Sequence, residues 1–186
     1  MKVIGITGTI GAGKGTIVDY LTTKKGFQHH SVRAFLVKEL EKRNLPVNRD
    51  TMTELANKLR KQNSPSFITD CLYDEAKKAG KSAVIESIRT PGEIDSLRKK
   101  GDFLLFAVDA EPETRYQRIL ERKSETDTIS WKTFLDNEKR EMNATDPHKQ
   151  NLRKCIEQAD YVFNNDGSIE ALYEDVENVL ERESLK

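Results

Sequence analysis

One run of the chain, GTIGAGKGT from Gly8 to Thr16, constrains its fold more than any other. It places four glycines and one lysine in nine residues, behind the apolar stretch KVIGIT and ahead of a helical pattern. Gly8 and Gly13 enclose four residues and Lys14 follows, which is the front of the phosphate-binding pattern. A glycine-rich turn lets backbone N–H groups converge on a phosphate without side-chain clashes. The helix that follows aims its positive N-terminus at the same point. Lys14 then reaches the outer phosphates and offsets charge during phosphoryl transfer. The residue after the lysine is Gly15, not Ser or Thr, and the hydroxyl comes one place later at Thr16. A direct hydroxyl ligand for Mg²⁺ is therefore missing, and the ion is expected to be held by phosphates and waters. The loop alone does not separate an ATPase switch from a kinase.

The rest of the sequence alternates strands and helices. Ile17, Val18 and Leu21 share a helical face that stops at Gly26, and FQHHS is a second strand. Helices are expected over AFLVKELEKRN, over DTMTELANKLR with Thr51 and Glu54 in capping-box spacing, and from Ser64-Pro65 to Gly80. SAVIES is a strand, followed by Thr90-Pro91-Gly92-Glu93 as a cap and helix start. The nearly continuous apolar run DFLLFAVDA suits a strand covered on both faces. A helix from Pro112 to Arg122, a polar hinge SETDTIS, a charged helix with Trp131 and Phe134, the strand ADYVFNND and a final helix complete the order. This order predicts an α/β fold of three layers, a parallel sheet of about five strands with helices on both faces. Residues 32–80 and 120–150 exceed simple crossovers and are expected to be helical inserts, one binding the acceptor and one forming a lid.

Composition narrows the partners. At 186 residues the chain fits a single domain over 1–186, and it counts 31 Lys plus Arg against 31 Asp plus Glu. No global field favours nucleic acid or an anionic membrane, so any anion chemistry must come from locally clustered cations. There is no apolar run of membrane-spanning length and no signal-peptide h-region. Cys71 and Cys155 lack metal-ligand or disulfide spacing. A cytoplasmic protein with two reduced core thiols is expected.

Three further stretches carry chemistry. VIESIRT puts Glu86 and Arg89 just past a strand's C-terminal edge, where ligands sit in open α/β sheets. A carboxylate there orders Mg²⁺ waters, and an arginine binds a second phosphate bidentately. RYQRILER spaces Arg115, Arg118 and Arg122 onto one helix face, with Tyr116, Ile119 and Leu120 expected to turn toward the core. DYVFNNDGSIEAL ends a strand in a tight turn before a helix.

With these residues in place, GTIGAGKGT resembles the loop of the adenylate-kinase-like nucleoside monophosphate kinases, in which Lys-Gly-Thr is the typical ending. VIESIRT is similar to that family's DGFPRT segment, with Glu for Asp and one residue fewer. The resemblance implies ATP and Mg²⁺ as cofactors. It implies donor contacts from Gly8, Gly11, Ala12, Gly13, Lys14, Gly15 and Thr16, with Glu86 on the metal through water. It gives Arg89 the acceptor phosphate, Arg118 a place near the base and Arg122 a phosphate. It makes Lys14, Arg89, Arg118 and Arg122 the catalytic set. The last strand and turn are similar to the adenine-pocket segment, which also occurs in the dephospho-CoA kinases. Asp166, Gly167 and Ser168 are positional candidates there. Ser31, Arg33 and Lys38 are possible acceptor ligands, and Arg140 is a further phosphate-facing cation.

Three functions remain open at this point. One is γ-phosphoryl transfer from ATP to a nucleoside or deoxynucleoside monophosphate. The second is phosphorylation of a ribose hydroxyl, as in dephospho-CoA kinases, and the third is an ATP-binding or ATP-hydrolysing switch. A hydroxyl acceptor benefits from a carboxylate base, whereas a phosphate acceptor is already anionic. FQHHSVRAF has no carboxylate, although Glu86 could serve as one, and a phosphate acceptor explains Arg89 more naturally, so the monophosphate kinase is favoured. At least one of His29 and His30 is expected to point into the core, and Trp131 to pack beside Phe134.

Overall fold

The computed structural model describes residues 1–122 and 129–184. Most of the expected hinge SETDTIS lies outside the described residues. Strands β1 (Val3–Gly8), β2 (Gln28–Ser31), β3 (Ala83–Glu86), β4 (Phe103–Asp109) and β5 (Tyr161–Asn164) form one parallel sheet in the order β2-β3-β1-β4-β5. Between them run α1 (Lys14–Lys25), α2 (Val32–Lys42), α3 (Arg49–Gln62), α4 (Phe67–Ala79), α5 (Pro91–Lys100), α6 (Pro112–Arg122), α7 (Trp131–Met142), α8 (Leu152–Glu157) and α9 (Ile169–Arg182).

Strand alternation divides the core into two layers. Ile4, Ile6, Val84, Phe106 and Val108 pack against α1 and α9 on one face of the sheet. Val3, Ile85 and Leu105 pack with α2 to α5 and α8 on the other. The central strands are apolar throughout because both faces are covered. A third, small cluster of Ile10, Ile119 and Phe134 joins the glycine loop to α6 and α7.

Cap chemistry sets the helix starts. Ser31 and Ser168 cap α2 and α9 by accepting from Ala34 N–H and Ala171 N–H. The expected Thr90–Glu93 capping box is present on α5. The Thr51–Glu54 pairing is not: α3 starts three residues earlier, with Asn48 as cap and Thr51 as its reciprocal partner. Thr51 therefore closes the box from inside the helix instead of opening it.

The face expected of α6 also differs. Arg115 is only 2% exposed and lies inward with Ile119, whereas Leu120 is 40% exposed. Phe134 and Glu138 of α7 cover the Arg115 side, so its guanidinium is buried among partners while Leu120 faces water. Trp131 packs on Phe134 and Tyr116, as expected. His30 is largely buried beside Glu75 of α4, and the more exposed His29 reaches Glu86 at the end of β3.

Candidate active site

The sheet order sends the chain from β1 to one side first and later, through β4, to the other. The C-terminal ends of β1 and β3 flank this reversal, where open α/β sheets bind ligands. The glycine loop leaves β1 there. Glu86, the last residue of β3, lies in register with Ile6 of β1 and Ser31 of β2.

The loop needs its glycines. Gly11 has φ 79° and Gly13 φ 105°, both left-handed. A Cβ on Gly11 would also come within 2.5 Å of the Arg115 carbonyl oxygen. A Cβ on Gly13 would collide with the side-chain amide of Asn165. That amide donates to the Ala12 carbonyl at 2.8 Å, so the β5–α9 turn braces the loop from behind. Beside Gly15 there is open space, which leaves room at the first turn of α1 for a ligand.

Lys14 folds its ammonium back onto the loop, donating to the Gly8 and Thr9 carbonyls at 3.0 and 2.7 Å. Burial and the nearby Arg89 charge push its pKa down to about 7. A polyanion beside it would restore the ammonium.

Opposite the loop, Ser87 adopts φ 74°, a left-handed conformation for a residue with a Cβ. This turn brings Glu86 and Arg89 to one cavity with Lys14. Glu86 Oε2 accepts from His29 Nε2 at 3.0 Å in the imidazole form that carries the Nε2 proton. Burial raises the Glu86 pKa, but the His29 hydrogen bond and the Lys14 and Arg89 charges outweigh it and hold the group below the usual carboxylate range.

The Arg89 backbone is held as firmly as its side chain. Glu93 accepts from the Arg89 and Thr90 N–H groups with one carboxylate oxygen, at 2.7 and 3.0 Å. Its other oxygen takes Arg60 Nε and Nη2 of α3, at 3.2 and 2.9 Å. Glu93 and Arg60 are 0% and 1% exposed. The Arg89 guanidinium reaches Glu141 of α7 at 2.7 Å and Gln150 at 3.1 Å.

These groups surround a cavity of about 370 Å³. Gly11, Lys14, Glu86, Arg89 and Arg122 line it, as does Arg33 of α2. One face of α3 forms a further wall, with Arg49, Met52, Thr53, Ala56 and Arg60, and Glu141 and Gln150 also line the cavity. Arg49 and Arg60 escaped the sequence reading. Their signal was an arginine at each end of a helical stripe through Met52 and Ala56, which reads equally as a solvated edge.

Other expected residues lie elsewhere. The Ser31 hydroxyl is spent on capping α2, and Lys38 is exposed further along α2, away from the cavity lining. Arg140 points to Asp50 and Asn137 at the surface instead of a phosphate site. Asp166 accepts from Glu111 N–H at 2.8 Å, and neither it nor Gly167 lines the cavity. Arg118 lies on α6 outside the lining, with a buried Nη1 that lacks a hydrogen-bond partner.

For a bound Mg²⁺, the residues present fit indirect coordination. Among the described residues, no three His, Cys, Asp or Glu side chains cluster to hold a metal. Two ionised carboxylates border the cavity, of which Glu141 is taken up by Arg49 and Arg89, while Glu86 faces the same cavity as Lys14. Among those residues, too, no helix is long and apolar enough to cross a membrane.

A glycine cradle at the β1–α1 turn, under a sheet in this order, defines a P-loop protein of kinase-like architecture. Solved structures agree on the fold. They include TT1252 from Thermus thermophilus (TM-score 0.60, 21% identity, 97% of each chain covered). A Janibacter sugar kinase gives TM-score 0.57 at 18% identity, covering 97% of this chain and 95% of that one. A gluconokinase from Sinorhizobium meliloti gives TM-score 0.59 at 11% identity, over 97% and 92%. Residues 4–146 match the AAA domain family model. A UPF0200 protein from Methanococcus maripaludis strain C6 is 31% identical over 185 residues, covering 98% of this chain and 97% of the relative. One from Pyrococcus abyssi is 27% identical over 186 residues, covering 97% and 96%. The chain thus belongs to the AAA domain family and to the UPF0200 proteins.

Proposed function

We propose that the protein is an ATP-dependent phosphotransferase that moves the γ-phosphoryl group to a nucleoside or deoxynucleoside monophosphate. The observation that carries this reading is the convergence of Lys14 with Arg49 and Arg89 on one cavity bordered by Glu86. Gly8 to Thr16 would hold the donor's phosphates. Lys14 and Arg122 would offset charge on the γ-phosphoryl oxygens as the acceptor oxygen bonds to phosphorus and the bond to the β–γ bridging oxygen breaks. Glu86 would hold Mg²⁺ through water, and the ion would supply charge neutralisation at the donor phosphates. Arg33, Arg49 and Arg89 would bind the acceptor, and Met52, Ala56 and Leu36 would pack on its flat apolar body.

A second reading, transfer to a hydroxyl, draws on Glu86 beside Lys14, where an ionised carboxylate paired with His29 could accept the hydroxyl proton. Structural neighbours whose names specify an acceptor, among them a sugar kinase and a gluconokinase, fit that chemistry.

The deciding experiment is a coupled ADP-release screen with ATP and Mg²⁺ against all nucleoside and deoxynucleoside monophosphates and dephospho-CoA. Stimulation by a monophosphate is expected. Stimulation by dephospho-CoA alone would select the hydroxyl reading, and none at all would favour a nucleotide switch. Arg89→Ala should then raise the acceptor KM about tenfold or more while the ATP KM moves less than about twofold. Equal effects on both would remove Arg89 from the acceptor side.

Lys14 supplies a prediction that needs no acceptor. Above pH 7 its amine is largely neutral in the empty site, and bound phosphates favour the ammonium. ATP binding at pH 8 should therefore take up protons, seen as a dependence of the calorimetric enthalpy on buffer ionisation enthalpy. At pH 6 the lysine is already charged, and its contribution to this dependence should vanish.

A further inference from the structure

Resting on the phosphotransfer reading, we infer that Glu141 is a resident anion in the seat of the acceptor's phosphate group, so that acceptor binding and docking of the α7 C-terminal end exclude one another. Glu141 lies in the last turn of α7 and its side chain is 4% exposed. Its two oxygens each take a different guanidinium. Oε1 accepts from Arg49 Nη2 of α3 at 2.5 Å, and Oε2 from Arg89 Nη1 after β3 at 2.7 Å. A carboxylate shared in this way occupies the position that an oxyanion of the acceptor would take, because arginine pairs with carboxylate and phosphate through the same planar fork.

Two observations separate this arrangement from a purely structural ion pair. The seat opens on the cavity, where Arg49 Nε and Arg60 Nη1 are buried donors without a hydrogen-bond partner. The pairing thus leaves cationic donors unmet at the place where a phosphate, with more acceptor oxygens than a carboxylate, could meet them. In addition, the C-terminal end of α7 is tied to α3 by charge. The second tie, Arg140 to Asp50, is 45% and 73% exposed and contributes little. The apolar packing of α7 lies at its other end, at Phe134. An end held by ions yields to a competing ion. Burial raises the Glu141 pKa, but Arg89 and Arg49 hold it below the usual carboxylate range, so the resident group is charged at neutral pH.

Inorganic phosphate is the probe, and no turnover is needed. Calorimetric titration compares the full chain carrying Lys14→Ala with the same chain carrying Lys14→Ala and Glu141→Gln, the first change removing the loop's own phosphate ligand. The Gln variant should bind phosphate about tenfold more tightly, because the competing charge is gone. Equal or weaker binding overturns the inference and makes Glu141 a brace for the two arginines. A gain that persists after Arg89→Ala also overturns it, by placing the anion elsewhere. A larger gain for acetate than for phosphate would overturn the assignment to a phosphate. A second measurement needs no change at Glu141: saturating phosphate should speed amide exchange toward the C-terminal end of α7 in the Lys14→Ala chain. Unchanged exchange there overturns the displacement. If the ADP-release screen fails while these results hold, the phosphotransfer reading falls and the seat remains.

Discussion

Lys14→Ala is expected to lower kcat/KM for phosphoryl transfer by about 10²–10³-fold without lowering the melting temperature. The lysine is the cation nearest to where the outer phosphates would lie, and the loop supplies no side-chain hydroxyl beside it, because Gly15 follows. Its removal leaves the transferring charge to backbone N–H groups and arginines. The fold should not suffer. The folded pKa of about 7 lies below the ordinary 10.5, so keeping the ammonium charged costs folding free energy as pH falls through that window. Alanine removes this cost. Steady-state kinetics with the acceptor found in the screen, together with a thermal melt, checks both halves. Near-normal turnover by a folded variant would remove the loop lysine from the chemistry.

Glu93→Ala should produce the largest loss of stability, about 3–5 kcal/mol, seen as a fall in melting temperature of roughly 10 °C. Glu93 is fully buried, balances the buried Arg60 guanidinium and accepts from two backbone N–H groups. Its loss strands a charge and two donors at once. The diagnostic control is Arg60→Met with Glu93→Leu. Removing both charges should recover a substantial part of the loss, although the N–H groups of Arg89 and Thr90 stay unmet. A single variant that melts like the parent would show that the pair contributes nothing to folding. Because the same carboxylate holds the Arg89 backbone, Glu93→Ala should also impair whatever Arg89 binds.

The glycine loop, the sheet and the pair Glu86 and Arg89 could be read from the sequence because local rules determine each one. Glycines at left-handed positions, apolar runs between helices and a cap at Thr90 carry their meaning within a few residues. The acceptor wall could not be read in this way. Whether Arg49 and Arg60 face solvent or a cavity depends on where α3 lands against α2 and α4 and on Glu93 of α5, and helical spacing does not contain that information. The arginine face of α6 failed for a related reason. A helix with two polar sides has no preferred inward side until a partner arrives, and the partner was Glu138 of α7, more than twenty residues away in sequence. Ser31 and Asp166 show a further limit of local reading, because the same polar side chains serve caps and turns as readily as ligands.

Arg115 has a consequence for binding. Its guanidinium donates to the Ile10 carbonyl in the glycine loop and to Glu138 of α7, and three residues further on Glu141 grips Arg49 and Arg89. One short helix therefore has a hand on each half of the cavity. Whatever settles in one half biases the posture of α7 and thereby the affinity of the other, equally in both directions. With such coupling, ligands in the two halves would not bind independently, and the link between them runs through a single turn of helix.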